Sequence, residues 1–138
     1  MTIVAKNAIS EIERVSLLVA DFCARHGLSA DIEGDLSLAL EEVLANVILH
    51  GFDDSAEHEI VVKLSMEHGS VSITVEDEGL PFNPLNAPEP DLTSPIEERP
   101  VGGLGVFLVR NIMDELDYQR REGRNCLFMK KHVRPGGD

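Results

Sequence analysis

Three short groups of residues have types and spacings that can do chemistry. The first is Gly102-Gly103-Leu104-Gly105, directly ahead of a stretch with helical periodicity. A glycine-rich turn feeding a helix N-terminus presents free N–H groups and the positive end of the helix dipole, which together suit a phosphate. It is neither a P-loop, since no Gly-Lys-Ser/Thr follows, nor a dinucleotide fingerprint, since the third glycine of that pattern is missing. A plain helix start has the same composition. The second group is Asp77 and Gly79 in VEDEGLPFNP. A carboxylate at a strand end can accept a hydrogen bond from an exocyclic amine such as that of adenine, and a glycine two residues on lets backbone approach a flat ring. An ordinary Asp-Glu-Gly turn reads the same way. The third is Glu41, Glu42 and Asn46 in LALEEVLANVILHGF. Glu42 and Asn46 stand four apart on one helical face, beside the apolar stripe, where a carboxylate and an amide are costly unless partnered. An exposed acid and a satisfied amide at the stripe's edge would look alike.

The elements that must position these groups follow from hydrophobic periodicity. Residues 8–26 and 29–50 predict helices, through Ile9, Ile12, Val15, Val19, Phe22 and Cys23 in the first. The second runs through Ile32, Leu36, Ala39, Leu40, Val43, Val47 and Ile48. Ser10 with Glu13 predicts a capping box, Gly27 a stop, Gly51 a C-cap, and Gly34 a weak first turn. Residues 58–66 and 70–77 alternate as strands around a turn at Gly69-Ser70. Residues 78–101 are proline-rich and aperiodic, too long for a passive connection in a small domain. A helix over 103–116 and strands over 117–121 and 125–132 complete the chain. The grouping predicts an α/β (α+β) two-layer sandwich over residues 1–138, with helices on one face of a mixed, mostly antiparallel sheet.

Composition narrows the function classes. The net charge is −13, which excludes duplex nucleic acid as a natural partner. The charge is uneven: residues 1–100 carry five basic and twenty acidic side chains (−15), residues 101–138 seven and five (+2), so a phosphate prefers the C-terminal third. The two cysteines form neither a disulfide framework nor a metal site, and the five histidines show no ligand spacing. No apolar run is long enough to span a membrane, and the first residues do not form a signal peptide, so a cytoplasmic location is expected.

Taken in order, the acid–amide helix, the Asp-x-Gly, the proline-rich loop and the glycine turn resemble the nucleotide-binding boxes of the GHKL ATPase superfamily. Among its branches the likeness is to the anti-sigma-factor serine/threonine kinases. EEVLANVILHGF, VEDEGLPFNP, VGGLGVFLVRNIMDELDY and GRNCLFMKK carry it over essentially the whole chain. One departure is Val101, where members of the superfamily often carry glycine. The resemblance implies ATP and Mg²⁺ as ligands. It implies Asn46 as the Mg²⁺ ligand, Glu42 as the general base, Asp77 with Gly79 at the adenine, and the run from Gly102 to Gly105, Leu104 included, at the phosphates. It implies an ATP lid over about 83–101. The activity implied is transfer of the γ-phosphoryl of ATP to a Ser or Thr of an antagonist protein, with a sigma factor as the second partner and a homodimer as the assembly. The alternative is a regulatory module that binds a protein in an ATP-dependent way with little or no transfer.

Overall fold

The computed structural model describes residues 1–81 and 103–133. Their elements run β1 (Thr2–Lys6), α1 (Ser10–Arg25), α2 (Ala30–His50), β2 (Glu59–Glu67), β3 (Ser70–Asp77), α3 (Gly103–Ile112), β4 (Glu115–Arg121) and β5 (Arg124–His132). Alternation in the strands puts Ile60, Val62 and Leu64 of β2, Val71, Ile73 and Val75 of β3, and Leu127 and Met129 of β5 on one buried face. Against that face lie Val15, Val19 and Phe22 of α1, Leu36, Leu40 and Leu44 of α2, and Val109 of α3, all in one core cluster. Each fully buried Leu, Ile or Val contributes about 1.5–3 kcal/mol relative to exposure, so this interface drives the fold. Cys23 is buried in it, and burial pushes its thiol up to about 11, which leaves it inert.

The five strands form one sheet in the order β1-β2-β3-β5-β4, with every described pairing antiparallel. Two tight turns set the registers. His68-Gly69 joins β2 to β3, and Glu122-Gly123 joins β4 to β5; all four residues have positive φ, as the primed hairpin turns require. The register aligns Ile60 with Asp77, Asp77 with Asn125, and Asn125 with Arg120, a row across one end of the sheet.

The structure departs from the sequence reading in four places. Residues 2–6 form an edge strand where none was expected, paired to β2 and tied to α1 by Arg14, whose guanidinium donates to the Val4 carbonyl at 2.6 Å. The capping box does not form. Ile9 is already helical, and Glu11 rather than Glu13 turns back, its Oε1 accepting the Lys6 amide at 3.0 Å. With β1 leading straight into α1, the donor that needed satisfying lies at the end of the strand. Third, α3 ends at Ile112, and Leu116, expected on its apolar stripe, instead pairs with Met129 in the sheet. Lys131 Nζ caps the Ile112 carbonyl at 2.7 Å, and the Asp114 carboxylate accepts the His132 amide, so β5 terminates the helix. Nor is the first turn weakened at Gly34 as expected: α2 runs unbroken through it, started by Ser29, whose hydroxyl accepts the Ile32 amide.

Candidate functional site

Asp77 is the last residue of β3, in phase with Val71, Ile73 and Val75, so its carboxylate points to the helix-covered side and is 3% exposed. A carboxylate there must be held by donors. Oδ1 accepts the amide of Gly79 at 2.8 Å and Nδ2 of Asn125 at 3.0 Å; Oδ2 accepts nothing among the described residues. Asn125, 6% exposed, stands opposite Asp77 in β5. Its Nδ2 also donates to the Leu80 carbonyl at 2.8 Å, while its Oδ1 accepts from the Tyr118 hydroxyl and from Arg120 Nη1, the latter at 3.1 Å.

The turn after Asp77 is tied down completely. The Gly79 amide goes to Asp77, the Gly79 carbonyl accepts Arg120 Nη1 at 2.7 Å, the Leu80 amide donates to the Gly51 carbonyl at 2.7 Å, and the Leu80 carbonyl accepts from Asn125. All four backbone polar groups of this dipeptide are therefore spent on four different elements or their ends. The reason for glycine at 79 follows: a Cβ there would fall on the Gly51 carbonyl and 2.8 Å from Asp77 Oδ1. The close approach that excludes a side chain is to the end of α2. Gly51 is the expected C-cap, donating to Val47 at 2.8 Å, but with a φ of −80° it needs no left-handed freedom. Its need is space, since its own Cβ would sit 2.5 Å from the Val47 carbonyl.

That junction joins the Asp77 turn to the helix that carries the acid–amide pair. Glu42 and Asn46 are both half-buried, and neither has a hydrogen bond or ion pair among the described residues. At 1.5 Å per residue, Asn46 stands roughly 7–8 Å and Glu42 roughly 13–14 Å along α2 from Gly51. Glu41 is differently employed: its Oε1 accepts the Ser16 hydroxyl of α1 at 3.2 Å. Gly103, Leu104 and Gly105 form the first turn of α3, so the glycines lie inside the helix start and not ahead of it. Gly102 and the expected lid over 83–101 lie outside the described residues. Among the described residues no three His, Cys, Asp or Glu gather as a metal cage, and no helix is long and apolar enough to cross a membrane.

Sequence reasoning did not single out Asn125, Tyr118 and Arg120. The signal was present for one of them. Asn125 shares the phase of Leu127 and Met129, and an amide in the buried phase of a strand needs partners on the core side.

A family model described as a histidine kinase-like ATPase domain matches residues 5–131. The serine/threonine-protein kinase BtrW of Bordetella bronchiseptica is 30% identical over 95% of this chain and 87% of its own length. The serine-protein kinase RsbW of Bacillus thuringiensis is 27% identical over 84% of this chain and 74% of its own. Among solved structures, the RsbU and RsbW domains of a Mycobacterium tuberculosis protein superpose with a TM-score of 0.66 at 15% identity. That match covers 98% of this chain and 33% of the longer one, and it is a likeness of fold.

Proposed function

Because this chain belongs to the histidine kinase-like ATPase domain family, within its serine/threonine-protein kinase branch, we propose that it transfers the γ-phosphoryl of ATP to a Ser or Thr of an antagonist protein. In the absence of that antagonist it holds a sigma factor, which makes it an anti-sigma regulatory factor of the cytoplasm. The observation that carries the site assignment is the order along one axis. From the carboxylate of Asp77, through the Gly51 junction, the chain presents first Asn46 and then Glu42. A nucleoside triphosphate has the same order, with its base at one end and the transferable phosphoryl at the other.

In this reading Asp77 accepts the exocyclic amine of adenine through Oδ2, the oxygen without a partner among the described residues. The Gly103–Gly105 turn of α3 directs backbone N–H groups and the helix dipole at the phosphates. Asn46, whose side chain has no partner among the described residues, would hold a Mg²⁺ ion through its amide oxygen, with phosphate and water supplying the other ligands. When bound, that ion neutralises charge on the phosphates. Glu42 takes the proton of the incoming Ser or Thr hydroxyl while that hydroxyl's oxygen bonds to the γ-phosphorus. The bond from that phosphorus to the bridging oxygen breaks, and ADP leaves. The engagement of Glu41 with Ser16 supports Glu42 as the base of the pair.

Incubation with γ-labelled ATP and candidate antagonist domains, read by mass spectrometry, tests the proposal. Phosphoserine or phosphothreonine on one antagonist is the expected result. ATP-dependent binding of a partner with no transfer to any would replace the kinase with a regulatory module.

A further inference from the structure

The carboxylate of Asp77 has two oxygens, and the groups behind it decide which one meets a ligand. Oδ1 is held by the Gly79 amide and by Asn125 Nδ2. This arrangement depends on which way the Asn125 amide faces. Rotated by half a turn, it would set its oxygen against the Asp77 carboxylate and the Leu80 carbonyl, with acceptor facing acceptor. On the opposite side of the amide stand two groups. The Tyr118 hydroxyl can donate or accept and so tolerates either orientation. The Arg120 guanidinium can only donate, and its Nη1 lies 3.1 Å from Asn125 Oδ1. The same nitrogen holds the Gly79 carbonyl at 2.7 Å, which fixes the peptide whose amide completes the hold on Oδ1.

We propose that Arg120 is a positioning residue for recognition of the base. It acts through Asn125 and Gly79 without touching nucleotide, and it fixes the pocket as one that accepts from a purine amine and rejects a purine carbonyl. The inference rests on the assignment of Asp77 to the base. The ligand class it selects is a 6-aminopurine nucleotide over a 6-oxopurine nucleotide. The side chain stands at an exposed position of β4, so replacing it leaves the core untouched.

The test measures affinities for ATP, for inosine triphosphate, which differs at the 6-position, and for tripolyphosphate, which has no base. In Arg120→Met, ATP affinity is expected to fall about tenfold, inosine triphosphate to change little, and tripolyphosphate not at all, in keeping with the loss of hydrogen bonds from a charged donor. Arg120→Lys, again a pure donor, is expected to restore most of the ATP preference. Should Arg120→Met not fold, Arg120→Thr serves, since threonine favours strands and is too short to reach. A loss shared equally by all three ligands, or an unchanged ratio of ATP to inosine triphosphate, overturns the proposal and leaves Arg120 a structural residue. Asp77→Asn is measured alongside. If it binds ATP as wild type does, the base assignment falls and the role of Arg120 with it. If it loses ATP while Arg120→Met does not, only the role of Arg120 falls.

Discussion

The two ends of the candidate site differ in how much of their hydrogen-bonding capacity the protein has already used. At the Asp77 end, four backbone groups of Gly79 and Leu80, one carboxylate oxygen and both ends of the Asn125 amide are occupied. At the Glu42–Asn46 end, neither side chain has a described partner. The difference matches two kinds of recognition. Telling one base from another depends on a fixed pattern of donors and acceptors, and a fixed pattern needs every neighbouring group committed. Binding a hydrated cation and taking a proton need the opposite. A metal ligand or a base already bonded to the protein would have to give up that bond first, at about 1–3 kcal/mol for a buried group.

Four substitutions test this contrast, in descending size of effect. Glu42→Gln removes the proton acceptor while keeping shape and polarity. Single-turnover transfer to the protein substrate should slow by roughly 10²–10⁴ with ATP affinity unchanged; transfer at the wild-type rate would falsify the assignment of the base. Asp77→Asn attacks the committed end. It puts a donor where the adenine amine needs an acceptor, and calorimetric titration should record a loss of about ten- to a hundredfold in ATP affinity. Asn46→Ala should cost about tenfold with Mg²⁺ present and little when the metal is chelated, a difference of ~1.4 kcal/mol between the two titrations; equal losses would make Asn46 structural and erase the distinction between the ends. The smallest effect is expected at Glu41→Gln, where the new amide oxygen can still accept the Ser16 hydroxyl. Transfer should stay within about twofold of wild type, the usual range for a half-exposed residue outside the chemistry. A larger drop there would move the base one residue back.

Much of this molecule was legible from periodicity. The β2–β3 and β4–β5 hairpins, the two long helices and the buried stripe of β3 follow from apolar spacing and from glycine-bearing turns, which are local properties. Asp77 and Gly79 were legible as a pair from their types and spacing at a strand end; that the strand phase turns the aspartate inward is what the structure adds. The β1 strand was not, since five residues of alternation become a strand only against β2. The end of α3 was missed for a related reason: Leu116 fits a helical stripe, and only the pairing with Met129 and the cap from Lys131 make it a strand residue.

The sequence by itself determined which side chains could do chemistry, their order along the chain and the face of its own element that each one takes. Those are consequences of residue type and of backbone repeat. Only the tertiary structure decided what holds them. Gly51 and Gly79 lie 28 positions apart, Arg120 and Gly79 lie 41 apart, and Asn125 and Asp77 lie 48 apart. No local rule relates such positions, because their contact depends on strand order and register. The sheet order β2-β3-β5-β4 sets Asp77, Asn125 and Arg120 in one row, and the core under α2 brings the Gly51 carbonyl to the Leu80 amide.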